Sequence, residues 1–308
     1  MTQHYDIIGD IHGHADILVT LLNKLGYQLN EGVYRHKKHK VIFLGDFIDR
    51  GPQQREVIDI VKPMIEQGTA LSVMGNHEFN AICYASHGAS GQLLRKHSEK
   101  NTKQHQAFLD AYPEASERKQ IINWFKTLPL FIETNGIRVI HASWNEPSRE
   151  ILKPLLDEKQ CLLSNAYDIC SQKGSAPYLA VETILKGPEA DLPEGVSFKD
   201  KDGNVRKNAR IKWWASKHLD KKERLHLGDN ITDEHNISET EIDTSYHYSD
   251  DLPPVFVGHY WLNDETPIPL SENCACLDYS IAKDGKLVAY LWRGERILKE
   301  SNFDWCEA

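Results

Sequence analysis

Four short polar clusters could carry chemistry in this chain: Asp10-Ile11-His12, Gly45-Asp46-Phe47-Ile48-Asp49-Arg50-Gly51, Gly75-Asn76-His77-Glu78 and Gly258-His259. A fifth candidate, His141, follows Ile137-Arg138-Val139-Ile140. Hard oxygen donors mixed with imidazoles, including a carboxylate able to bridge, describe a two-metal hydrolytic centre. One Asp-x-His, or Gly-His alone, would be weak evidence. The joint occurrence of glycine-flanked clusters is not. Histidines without such a setting, such as His4, His36, His87 and His235, are read as surface or satisfied core residues.

Each cluster needs an element that aims it. Tyr5–Ile8, Val41–Leu44, Leu71–Met74 and Val255–Val257 are apolar, β-rich runs that end directly at a cluster. When strands of one sheet all end in Asp, His or Asn, those side chains converge at one rim, where open α/β folds place their sites. Residues 15–26 carry apolar positions at helical spacing and stop at Gly26. A second helix is expected over 55–67, with Pro63 kinking or splitting it. This β-α-β-α-β run implies right-handed crossovers and a mainly parallel sheet. Residues 79–126 read as a helical insertion flanking the site, closed by Pro129. A β-hairpin turns at Asn135-Gly136.

Beyond Trp144 the pattern loosens. Helices are expected over 155–170 and 177–185. The basic stretch 199–224 runs through Arg206, Arg210 and Lys212 into Trp213-Trp214, an aromatic anchor that could hold cations over an anionic substrate. Residues 233–251 carry seven acids and no Lys or Arg, and read as a solvated surface. The tail around Cys276-Leu277-Asp278 and 287–292 reads as closing strands of a second sheet. One domain over 1–308, with insertions at about 79–128 and 144–251, is the simplest organisation.

Composition sets outer bounds. With 308 residues, 26% charged and 40% apolar, the chain can bury a sizeable core. A net charge of -9 argues against general polyanion or stable nucleic-acid binding by the whole surface. No run approaches the roughly 20 apolar residues of a membrane span, and the first residues lack a signal-peptide pattern. Six cysteines without CxxC spacing fit a reduced, cytoplasmic setting.

The motifs Gly9-Asp10-Ile11-His12-Gly13, Gly45 to Gly51 and Gly75-Asn76-His77-Glu78 resemble those of the calcineurin-like metallophosphoesterases. The branch holding the Ser/Thr phosphoprotein phosphatases and the diadenosine tetraphosphatases is the most similar. The resemblance implies an α/β fold, a four-layer αββα sandwich of two mixed sheets flanked by helices. It also implies two divalent metal ions, manganese first, with iron, zinc, cobalt or nickel as other candidates. Asp10 and His12 would hold the first metal and Asp46 would bridge. Asn76, His141 and His259 would complete the second. A shared water of lowered pKa would attack phosphorus in line, without a covalent phosphoenzyme. Arg50 would grip the phosphoryl oxygens, and His77, oriented by Asp49, would protonate the leaving oxygen. Arg210 is the candidate for a further phosphate-binding arginine.

Departures from the pattern narrow the substrate. Gly258-His259-Tyr260-Trp261 lacks the second histidine of many diesterases, which favours phosphatase action. Leu277-Asp278-Tyr279-Ser280 replaces an Asp-Thr-Gly of the dinucleotide hydrolases. The leading expectation is therefore a phosphomonoesterase acting on a phosphorylated protein or peptide. The alternative is a bis(5'-nucleosyl)-tetraphosphatase-like hydrolase acting on a nucleotide substrate. A catalytically silent scaffold is disfavoured by the intact donor set. Oligomeric state is not legible.

Overall fold

The computed structural model describes residues 3–199, 203–227, 230–233 and 236–308. Strand β1 (His4–Ile8) leads into helix α1 (Ala15–Lys24), which buries Leu18, Leu21 and Leu22. A short hairpin, β2 (Gln28–Asn30) and β3 (Val33–Arg35), returns the chain to β4 (His39–Phe43). Helix α2 (Gln54–Glu66) and β5 (Ala70–Ser72) complete the run, with β1, β4 and β5 paired in parallel. Helix α2 continues through Pro63. That proline sits in the last turn, so its missing N–H removes one bond just before the helix ends anyway.

The region read as a helical insertion holds three helices: α3 (Asn76–Ala85), α4 (Glu99–Ala111) and α5 (Ala115–Phe125). The hairpin follows as β6 (Phe131–Thr134) and β7 (Ile137–Ile140), turning at Asn135-Gly136 with positive φ at both residues.

Helix α6 (Glu146–Leu152) comes next, but the helix expected over 155–170 does not form. Instead Asp157 Oδ1 accepts the N–H groups of Lys159 and Cys161, a local side-chain turn that competes with the helix. Only α7 (Ala166–Ser171) is helical there, followed by α8 (Ala176–Lys186) capped by the Ser175 hydroxyl. Strands β8 (Glu189–Asp191), β9 (Phe198–Lys199), β10 (Val205–Arg206), β11 (Asn208–Ile211) and β12 (Leu225–His226) follow. Of these, β8, β11 and β12 form a small antiparallel sheet. In the acidic stretch Glu239, Glu241 and Asp243 are exposed, as expected; Glu234 and His235 lie outside the described residues.

Strand β13 (Val255–Val257) pairs in parallel with β7 and with β14 (Cys274–Cys276), so the second sheet runs β14-β13-β7-β6. The tail meets expectation at Cys276, in β14, and departs from it afterwards. Strands β15 (Asp278–Tyr279), β16 (Lys286–Trp292) and β17 (Phe303–Glu307) join the first sheet, with β16 antiparallel to β1. Which sheet an edge accepts depends on which strand lies beside it, and local pattern does not record that.

Alternation along the strands builds the layers. Ile7, Ile42, Val73, Val139, Phe256, Ala275 and Tyr290 form an apolar core between the two sheets. Outward-facing Ile8, Val41 and Phe43 share a cluster with the apolar faces of α1 and α2. Ile140, Val255 and Val257 share it with those of α6 and α8. Helices on sheet, sheet on sheet, and helices again give the expected αββα sandwich. Cys274 and Cys276 are core residues, and all six cysteines are free. No helix among the described residues is long and apolar enough to cross a membrane.

Candidate metal centre

Parallel strands deliver their next residues to one rim. Asp10 and His12 follow β1; Asp46, Asp49 and Arg50 follow β4; Asn76 and His77 open α3 just past β5; His141 follows β7; His259 follows β13. The two sheets are tied together there. His259 N–H donates to Asp10 Oδ2 at 3.0 Å and His141 Nδ1–H to the Leu44 carbonyl at 2.7 Å, while Gly258 N–H joins two loops of the second sheet by donating to the His141 carbonyl at 2.8 Å. Six non-glycine residues at this rim, His12, Asp46, Asp49, Arg50, His259 and Trp261, have φ between 46° and 71°. Such conformations cost on the order of 1–3 kcal/mol each and persist where surrounding bonds over-determine them. A Cβ on Gly258 would overlap Asp10 Oδ1, and one on Gly75 would overlap Asp46 Oδ1, so both backbones approach a carboxylate too closely for a side chain.

All six candidate ligands are buried. His12, Asp46 and His77 offer ligand atoms within 4.8 Å of one another, and so do Asp46, His141 and His259. Asp46 is common to both groups. Its Oδ2 lies 3.6 Å from His12 Nε2 and 3.4 Å from His141 Nε2. Asn76 Oδ1 sits 3.1 Å from His141 Nε2 and 2.7 Å from His259 Nδ1. His12 Nδ1–H donates to the Ile48 carbonyl at 3.0 Å, which leaves Nε2 as a bare lone pair pointing inward. Asp10 Oδ1, His12 Nε2 and His259 Nε2 are buried without a hydrogen-bond partner among the described residues. A buried polar atom left so costs about 1–3 kcal/mol. Orphaned acceptors among carboxylates and imidazoles fit a pair of divalent cations, which neutralise and coordinate them together.

The electrostatics fit in part: burial opposes protonation of His141, yet Asp46 and then Asp10 raise it to about 10, holding a proton that cation binding would have to displace. Burial, reinforced by His77, pushes the His12 imidazole down to about 3, so it stays neutral, as a ligand must. Burial alone would raise Asp46, but His141, His77 and His12 hold its carboxyl well below the usual range. Asp10 is raised by burial and by its neighbours Asp278 and Asp46, the mark of carboxylates crowded without a counter-charge.

His77 stands slightly apart. Its Nδ1 lies 2.6 Å from Asp49 Oδ2, and its Nε2 faces Asp46 Oδ2 at 3.9 Å. Burial opposes its protonation, yet Asp46 and then Asp49 raise it. Asp49 goes to about 2 because hydrogen bonds from His105 and His77 outweigh its burial. Arg50 is exposed above this group, its guanidinium 4.1 Å from the Trp261 ring centroid.

Motif reading gave no role to two residues. Glu78 accepts the backbone N–H groups of Asp46, Phe47 and Gly75, each at 2.9 Å, and so locks two ligand loops together. Its place at the third position of helix α3, after Gly75, is the capping-box position that could have signalled it. We predict that Glu78→Ala, which strands three buried donors, lowers unfolding free energy by about 3 kcal/mol or more. Glu78→Gln should lose less, because an amide oxygen still accepts. Urea denaturation of the metal-free protein measures this, and unchanged stability of Glu78→Ala would contradict the role. The second residue is His105 on α4, whose Nδ1 lies 2.9 Å from Asp49 Oδ1; nothing in its local sequence marks it.

Asp46, Arg50, Asn76, His77 and His259 open onto one cavity of about 980 Å³, walled by the 79–126 helices and by β10–β12. Nine Lys or Arg side chains line it against three acids, in a chain of net charge -9. Arg210 and Arg206 are among them, and Lys212 is not. The Trp213-Trp214 pair serves packing instead. Trp213 is buried, and its indole N–H donates to the Tyr260 hydroxyl at 2.9 Å and to the Ala142 carbonyl at 3.1 Å. The expected anchor therefore joins β11 to the two histidine loops and leaves Arg210 facing the cavity.

Comparisons with known proteins follow the same line. The family model described as calcineurin-like phosphoesterase matches residues 4–259. An asymmetrical bis(5'-nucleosyl)-tetraphosphatase PrpE of Oceanobacillus iheyensis is 32% identical over 149 residues, 48% of this chain and 58% of that protein. Its namesake from Halalkalibacterium halodurans is 41% identical over 127 residues, 41% of this chain and 49% of that protein. The chain thus spans about half the length of the curated relatives it matches. Among solved structures, a protein serine/threonine phosphatase from Saccharomyces cerevisiae superposes with a TM-score of 0.54 at 14% identity, covering 99% of this chain and 79% of that one. At that identity the likeness concerns the fold.

Proposed function

The chain belongs to the calcineurin-like phosphoesterases, and from that premise we propose that it hydrolyses dinucleoside polyphosphates. The observation that carries this reading is the cavity: nine cations against three acids around the donor cluster, far more positive charge than one phosphoryl group requires. Low-dielectric walls of one sign focus field lines and concentrate an extended polyanion. The names of the relatives favour this substrate class over the phosphomonoesters that the sequence put first.

In this reading Asp10, His12, Asp46, Asn76, His141 and His259 hold two divalent ions. When bound, the ions supply Lewis acidity and charge neutralisation at the reacting phosphate. Arg50, with its guanidinium stacked on Trp261, binds phosphoryl oxygens bidentately and offsets the charge that develops on them. As a water oxygen bonds to phosphorus and the bridging P–O bond breaks, His77 gives its proton from Nε2 to the departing oxygen, and Asp49 keeps the ring oriented. Arg210 and Arg206 receive the rest of the polyphosphate chain.

A comparison of kcat/KM on diadenosine tetraphosphate, a phosphopeptide and a 2',3'-cyclic nucleotide, with manganese added, tests the substrate class. Diadenosine tetraphosphate should lead, and a phosphopeptide that outruns it would return the reading to protein phosphatase action. Arg210→Ala should raise KM for diadenosine tetraphosphate about 10- to 100-fold, the range for losing one charged hydrogen-bonding partner. For p-nitrophenyl phosphate it should matter much less. Equal effects on both would place Arg210 at the reacting phosphate instead.

A further inference from the structure

Asp49 is a buried carboxylate shared by two imidazoles. Its Oδ2 meets His77 Nδ1 at 2.6 Å and its Oδ1 meets His105 Nδ1 at 2.9 Å. A carboxylate accepts and does not donate, so both nitrogens carry their protons toward it. The backbone of Asp49 is fixed as well, at φ 68°, with its N–H donating to Gln54 Oε1 at 2.7 Å. One freedom would remain with His77 alone. The terminal torsion of an aspartate is broad and roughly two-fold, so the carboxylate could rotate and carry the His77 ring with it. His105 removes that freedom by pinning the other oxygen.

His105 is itself held. Its ring stacks on Phe108 with centroids 4.9 Å apart, and Tyr84 packs against it at 5.3 Å. Tyr84 is anchored in turn by a hydroxyl bond to Thr102 at 2.9 Å and by stacking on His97 at 3.8 Å. The support therefore comes from α4 and the end of α3, outside the motif loops.

From this geometry we infer that His105 is a positioning residue for proton delivery by His77, acting through Asp49. The inference rests on the proposed role of His77 as proton donor. It makes the 79–126 insertion part of the acid apparatus as well as a wall of the cavity. A residue that only packed α4 would affect all substrates alike. One that orients the acid should matter most when the departing oxygen is strongly basic.

The test pairs phenyl phosphate, a poor leaving group, with p-nitrophenyl phosphate, a good one. His105→Phe keeps the stack on Phe108 but has no donor. It should lower kcat on phenyl phosphate about 10- to 100-fold, the usual cost of a lost supporting hydrogen bond, and on p-nitrophenyl phosphate by no more than about threefold. KM, bound manganese per chain and melting midpoint should stay near wild type. His105→Asn places an amide N–H where Nδ1–H was and should recover most of the loss. In the metal-free protein with ¹⁵N-labelled histidine, the carboxylate-bonded Nδ1–H resonance of His77 should shift or broaden in His105→Phe. Equal losses on both phosphates, no rescue by asparagine, or an unmoved His77 signal would overturn the inference. His77→Asn is the control. If it shows the leaving-group dependence and His105→Phe does not, only the positioning role fails. If it shows none, the donor assignment falls, and the inference with it.

Discussion

Asp46→Asn should lower kcat/KM on diadenosine tetraphosphate by about three orders of magnitude or more, with bound manganese falling in parallel. Asp46 is the one residue common to both donor groups, and its Oδ2 lies 3.6 Å from His12 Nε2 and 3.4 Å from His141 Nε2. Removing its charge leaves Asp10 as the only other carboxylate of the proposed ligand set. Two-ion assistance is worth several kcal/mol of transition-state stabilisation, and each 1.36 kcal/mol is a factor of ten. The fold should tolerate the change, because an amide oxygen can still accept the His77 N–H that Asp46 Oδ1 takes at 2.9 Å. Steady-state kinetics with metal analysis reads both quantities. Wild-type turnover in this variant would end the bridging assignment.

His77→Asn should reduce kcat about 100-fold or more while leaving most of the metal in place. A positioned general acid contributes roughly 10²–10⁴-fold, and more when the leaving oxygen is basic. Distance alone does not decide the role, since His77 also falls within the group formed by His12 and Asp46. Its hydrogen bonding does: Nδ1 is committed to the Asp49 carboxylate, which stabilises an imidazolium, whereas His12 and His141 give theirs to the backbone carbonyls of Ile48 and Leu44. A cation-binding imidazole must be unprotonated, and a proton donor must not be. Loss of both ions from His77→Asn would therefore reassign it as a ligand. Retained metal with retained rate would remove it from the reaction.

Much of the rim was legible because the information is local. An apolar run of three to five residues that ends at a glycine-flanked Asp, His or Asn reports both the strand and what its end presents. Such runs preceded Asp10, Asp46, Asn76 and His259, and one without a flanking glycine preceded His141; all five residues meet at one place in the fold. Arg210 was read from its neighbours, and it lines the cavity with Arg206. The tryptophans behind it were read as an anchor for those cations; both are buried, and the bonds of Trp213 to Tyr260 and Ala142 that hold the segment are invisible in one dimension.

What the residues determined alone was the chemistry on offer: carboxylates, imidazoles and an amide at the ends of strands, and an arginine and a histidine beside them. Only the tertiary structure decided how these groups divide the work. It placed β16 beside β1, set Glu78 across the Asp46 and Gly75 loops, laid Trp261 against Arg50, and brought His105 across 56 residues to Asp49. Hydrogen bonds and ring contacts of this kind depend on distances between segments far apart in the chain. Hydrophobic periodicity and turn residues describe each segment's own geometry and carry no record of its neighbour.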